Sequence, residues 1–185
     1  MIDDVLKDAE ERMKKALEAL KRDLGSVRTG RATPSLIDRL MVEYYGTPTP
    51  LNQLAQINSP ESRLLVVQPY DRGSMPAIEK ALQKSEQGFN PANDGKVIRI
   101  PIPALTEDRR RELVKMVKHK VEEGRVSIRN VRRDAIHDMK EMETEKMISE
   151  DEQKRGTERL EDLVHKYIRE AEQVGDAKEA EVMEV

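Results

Sequence analysis

All nine prolines of this 185-residue chain fall between Pro34 and Pro103. Proline removes a backbone donor and clashes with the preceding helical turn, so the block 34–103 cannot be continuous helix. The flanks, 1–30 and 104–185, carry no proline and are free to be helical. The chain therefore reads as helical ends around a middle of different architecture.

The first flank repeats Ile2, Leu6, Ala9, Met13, Ala16, Leu20 and Leu24 at steps of mostly four and three, the seam of a helix in a bundle. Gly25 and the Thr29-Gly30 pair end or loosen it. A second helix is expected from Thr106, a plausible N-cap followed by Glu107 and Asp108. Its seam runs Val114, Val117, Val121, Gly124, Ile128, Val131, Ala135, Met139, Met142. Unbroken to Met147 it spans about 63 Å. Gly124 costs roughly 1 kcal/mol of helix propensity; close helix approach and a tolerated flaw are equally good readings. Ser149 and Glu152 have capping-box spacing for a third helix, with Gly156, Leu160, Leu163, Tyr167, Ala171 and Val174 as its seam. The acidic tail Asp176–Val185 is expected to fray. One Phe and no Trp suit such narrow seams rather than a large core.

Inside the proline block, Leu40–Tyr45, Arg63–Gln68 and Val97–Ile100 read as strands and Met75–Gln87 as a short helix. Gly46–Pro50 and Asn90–Gly95 read as turns. The fold class is α+β: a long three-helix bundle, residues 1–29 and 106–185, with a small α/β sandwich domain inserted over 31–104. Two adjacent crossings make a natural hinge.

Catalytic and metal chemistry find little support. There is no cysteine, and His119, His137 and His165 lack the paired spacing zinc favours. No phosphate loop or nucleophile elbow occurs. The start has neither the basic nor the apolar region of a signal peptide, and no stretch approaches the roughly 18 apolar residues of a membrane span. A cytoplasmic protein without cofactors, not an enzyme, is expected.

Net charge is −3, but it is segregated: residues 106–140 hold 11 basic and 7 acidic side chains, residues 141–185 hold 7 and 15. On a wheel measured from Arg125, the second helix's seam occupies about −120° to −20°. Arg111, Lys115, Lys118, Arg125, Arg129, Arg132, Arg133 and Lys140 lie between about −20° and +80°, where Glu122 is the one acid from 111 to 140. Such a stripe is either a solvated face paired with acids of the third helix or a face for an anionic partner. Repulsion between like charges four apart favours the partner. Arginine suits forked contacts to phosphate, and the lack of interleaved aromatics favours helical RNA backbone over stacked single strands.

Four blocks, Val27–Ala32, Val42–Leu51, Leu105–Arg111 and Ile128–Ala135, with the terminal Glu179–Val185, resemble the bacterial ribosome recycling factor family over the whole length. The resemblance implies an L-shaped monomer with the outline of a transfer RNA and a mobile small domain. It implies a bundle that binds large-subunit 23S rRNA in the post-termination ribosome and a small domain facing elongation factor G, whose GTP hydrolysis drives subunit separation. It carries RNA contact onto Arg129, Arg132 and Arg133, joined on the stripe by Arg125, Lys118 and Arg111. It places the hinge on Thr29, Gly30, Arg31, Ile102, Pro103 and Ala104. Some relatives have alanine where this chain has Gly124. Two other readings stand beside it: a coiled-coil adaptor for an acidic protein, and a metal-dependent nuclease, for which no carboxylate motif is seen.

Overall fold

A computed structural model of the chain describes residues 1–85 and 88–184. It is an α+β structure that divides into two compact units, 1–24 with 114–185, and 25–113.

The first unit is a bundle of α1 (Ile2–Gly25), α4 (Glu107–Thr144) from Val114 onward, and α5 (Glu150–Met183). Leu20 lies against Gly124 and Arg12 pairs with Asp134, so α1 and α4 are antiparallel. Gly175 meets Val121 and Gly156 meets Met139, so α4 and α5 are antiparallel too. Asp3 pairs with Arg159, which leaves α1 and α5 parallel. The core is the expected seam with small shifts: Leu17 is buried where the spacing favours Ala16, and Val164 more fully than Leu163. In each case the larger or neighbouring apolar side chain takes the inward position.

Both long helices are capped as their sequences suggest. Thr106 Oγ1 accepts from the Arg109 N–H at 3.2 Å, and Ser149 Oγ accepts from the Glu152 N–H at 3.1 Å. At 38 residues, α4 is about 57 Å long and ends at Thr144, short of Met147. The expectation of a fraying tail is corrected: α5 continues to Met183, and Val182 is fully buried. Gly175 is not a stop signal. A Cβ there would stand 2.5 Å from Val121 Cγ2, so the glycine is what lets the two helices meet.

The second unit contains the prolines. A hairpin of β1 (Met41–Tyr44) and β2 (Thr47–Pro50) turns through Tyr45 (φ 50°) and Gly46 (φ 77°). The stretch Gly46–Pro50, expected as a turn, is thus mostly strand; β2 pairs with β1 alone, and an edge strand tolerates proline. After α2 (Leu51–Leu54), a four-stranded antiparallel sheet has the order β3 (Ala55–Glu61), β4 (Leu64–Pro69), β6 (Ile98–Pro101), β5 (Ala92–Asn93). Strand β3, mostly exposed and polar, and the two-residue β5 carry no apolar alternation for sequence patterning to read. Pro60 sits at the β3 irregularity between Asn58 and Glu61. Leu65 pairs with Ile100 and Val67 with Ile98, all four fully buried, in one cluster with Ile78 and Leu82 of α3 (Met75–Lys84). The expected helix end at Gln87 lies outside the described residues.

Candidate nucleic-acid interface

The basic side chains of α4 do not share one fate. Arg132 and Arg125, the two nearest the seam, are tied to α5. Arg132 Nε donates to Glu161 Oε1 at 2.6 Å, with both side chains half-buried. Arg125 Nε lies 3.3 Å from Glu172 Oε1, too poorly aligned to hydrogen-bond, so this contact is electrostatic. Arg125 Nη1 also donates to Glu122 Oε2 at 2.9 Å, and Arg129 Nη1 donates to Glu122 Oε1 at 3.2 Å. One carboxylate thus bridges two guanidinium groups a turn apart. The hydrogen bond from Arg125, reinforced by the charge of Arg129, lowers the Glu122 pKa against a smaller opposing effect of burial. The same bond to Glu122 raises Arg125, with Glu172 adding to it.

Arg133 Nη2 donates to Asn130 Oδ1 at 2.6 Å, a neutral partner, and Arg133 forms no ion pair among the described residues. Lys115, Lys118 and Lys140 are exposed and form no ion pair among the described residues. Arg111 pairs with Glu107 at 2.8 Å and lies on the part of α4 that groups with the small unit. Ion pairs this exposed contribute about 0–1 kcal/mol each, so a phosphate with better geometry can displace them.

All six expected hinge residues, Thr29, Gly30, Arg31, Ile102, Pro103 and Ala104, fall inside the small unit; the units divide at 24/25 and 113/114. Local bonds explain the offset. Thr29 and Ile102 are buried, the Ile102 N–H donates to Arg63 O at 2.8 Å, and the Ala32 N–H donates to Ser62 O at 2.7 Å. Gly30, at φ +79°, has Leu105 Cγ 3.3 Å from where a Cβ would stand. Pro103 and Ala104 are exposed.

Other surfaces offer less. A groove of about 600 Å³ lies between α1 and α5, but Asp3, Lys7, Glu10, Glu11, Lys14 and Arg159 line it with mixed charge, partly paired already. His119 and His137 face Glu123 and Glu141 of their own helix. Among the described residues no three His, Asp or Glu side chains converge to hold a metal, and no helix is long and apolar enough to cross a membrane.

A family model described as ribosome recycling factor matches residues 20–183. The chain is 57% identical to the ribosome-recycling factor of Chloroflexus aggregans and 58% to that of Chloroflexus aurantiacus, over 185 residues and the full length of each. The chain belongs to the ribosome recycling factor family. Its fold is similar to a solution structure of a ribosome recycling factor, with a TM-score of 0.80 and 46% identity over all of this chain and 98% of that one. It is also similar, with a TM-score of 0.71 and 42% identity over the whole of both chains, to the T. thermophilus ribosome recycling factor in models with E. coli elongation factor G bound to the E. coli post-termination complex. Within this family chain, Glu161 and Glu172 are the site residues that sequence reasoning missed. Their signal was present as acids of the third helix, but pairing them to particular arginines needs the α4–α5 register.

Proposed function

We propose that this chain is a ribosome-recycling protein that binds the post-termination ribosome and, with elongation factor G and GTP, promotes its dissociation into subunits. The observation that carries the reading is full-length similarity to ribosome recycling factors, one of which is placed on a post-termination complex with elongation factor G. The α4 face supplies the means. Lys118, Arg125, Arg129, Arg132 and Arg133 offer a line of cations for large-subunit RNA phosphates, with Arg111 further along the helix. The chain contributes binding and shape and works in the cytoplasm as a monomer without cofactors; nucleotide hydrolysis belongs to elongation factor G. The small unit reorients relative to the bundle through the segments around Gly30 and Pro103-Ala104.

The test is the double variant Arg129→Ala, Arg132→Ala in co-sedimentation with large subunits across a salt series. Removing two phosphate contacts flattens the slope of log affinity against log salt by roughly one to two units. At moderate salt the affinity falls by about 1–3 kcal/mol for each arginine truncated. Unchanged affinity and slope would return the stripe to a solvated face. Capture of an acidic protein in place of ribosomal subunits would favour the adaptor.

A further inference from the structure

Between positions 111 and 140 Glu122 is the one acid on the basic arc of α4, and its two oxygens are divided between Arg125 and Arg129 at 2.9 and 3.2 Å. A phosphate bridging the same two guanidinium groups would use two oxygens in the same way. We propose that Glu122 is an internal counter-anion of the RNA-binding face, which competes with phosphate for Arg125 and Arg129 and so sets how readily the bundle releases RNA. This rests on the reading that the α4 face binds ribosomal RNA.

Three features support it. Glu122 is half exposed, so its side chain swings away without unpacking anything. Arg125 keeps Glu172 of α5 at 3.3 Å on its other side, which holds its position when Glu122 leaves. Lys118 and Arg133, on the same arc and in no ion pair among the described residues, keep the face attractive to a polyanion at longer range. A recycling protein must leave the subunit after each round, and a tethered competitor for two cations shortens residence without removing either cation.

The alternative is that Glu122 only steadies α4 through ordinary surface ion pairs. That role moves helix stability and leaves RNA binding and its salt dependence alone. The two are separated by Glu122→Gln, compared with Glu123→Gln as a control. The control removes the same charge from outside the basic arc, at about 160° on the wheel and about 100° round from Glu122, where Glu123 faces His119 at 2.9 Å. Binding is measured to isolated large subunits and to a short A-form RNA duplex, each across a salt series. Glu122→Gln is expected to bind about threefold to tenfold tighter, mostly through slower dissociation, with a salt slope steeper by about one unit. Glu123→Gln is expected to change affinity less than about twofold.

Equal tightening by both variants would reduce the effect to net charge and overturn the proposal. Weaker binding by Glu122→Gln would show the carboxylate helping RNA contact, which also overturns it. If the unaltered protein binds the duplex but not the subunit, the functional reading falls. The counter-anion then stands or falls on whether Glu122→Gln tightens duplex binding.

Discussion

The register that brings Glu161 and Glu172 to Arg132 and Arg125 depends on Gly175, so replacing that glycine tests the site's foundation. In Gly175→Ala the new methyl meets Val121 Cγ2 at 2.5 Å and Cβ at 3.6 Å. Carbon atoms settle at about 3.5–4.0 Å, so the first contact falls short by about 1 Å. Val121 is buried and β-branched, with one strongly preferred helical rotamer, so it cannot turn aside cheaply. Overpacking of this kind costs about 1–3 kcal/mol, against a gain of about 1 kcal/mol in helix propensity. Gly124→Ala gains the same propensity, and its methyl meets Leu20 Cδ2 at 3.3 Å, a few tenths of an ångström short, with Leu20 Cβ and Cγ at ordinary contact distances of 3.8 and 3.9 Å. Comparing the two variants cancels propensity and leaves packing. Gly124→Ala is expected to stabilise by about 0.5–1 kcal/mol and Gly175→Ala to destabilise by about 1 kcal/mol. At about 2–4 °C per kcal/mol for a chain of this size, their melting temperatures separate by about 5 °C. Thermal unfolding followed by helical circular dichroism measures it. If Gly175→Ala stabilises as much as Gly124→Ala, the helices do not meet there, and the assignment of acids on α5 to arginines on α4 fails with it.

Glu122 titrates below the ordinary glutamate range because Arg125 hydrogen-bonds to it and Arg129 lies beside it. Its folded-state pKa is depressed, so the stabilisation from these pairs is complete above the unfolded value and is lost as pH falls through the folded one. A carboxyl NMR titration should show the low midpoint, and Arg125→Ala should move it upward; a midpoint at the ordinary value in the unaltered protein would refute the bridge. Within the small unit, Gly30→Ala forces a side chain into φ +79° against Leu105 and should cost about 1–2 kcal/mol locally. Subunit splitting should fall more than ribosome binding, and unchanged splitting would remove Gly30 from the proposed motion; proline, fixed near −65°, would break this turn rather than stiffen it.

The bundle was legible because its signal is periodic and one-dimensional: Leu6, Met13, Leu20 and Leu24, or Val117, Ile128 and Met139, announce their inward face by spacing alone. Ser149 and Thr106 announced the helix starts through local hydrogen bonds that need no tertiary knowledge. What failed to read was what depends on a neighbour. Strand β3 carries Gln56, Asn58 and Ser59, and only pairing with β4 makes it a strand. Gly175 looks like a helix stop until Val121 is seen beside it. The Thr29 and Ile102 linkers look free until their burial places them within the small unit.

The basic stripe follows the same logic, and the wheel angle explains which cations are tied down. Arg132 and Arg125, at about −20° and 0°, border the seam and reach across it to Glu161 and Glu172. Lys118, Arg129, Lys140, Lys115 and Arg133 lie at about 20° to 80°, too far round the helix for α5 to neutralise. Among the described residues only Arg129 of this set forms an ion pair, and its partner Glu122 comes from α4 itself. A flat count of positive residues therefore overstates what a phosphate backbone meets first. Long-range attraction comes from Lys115, Lys118, Arg133 and Lys140, which form no ion pair among the described residues. On the proposed reading, a phosphate reaching Arg125 and Arg129 displaces Glu122, and one reaching Arg132 displaces Glu161, so those three discriminate on geometry while Glu172 stays beside Arg125. On that reading the acidic third helix, through Glu161, belongs to the proposed face as a competitor, and loose electrostatic attraction alone is insufficient for tight binding.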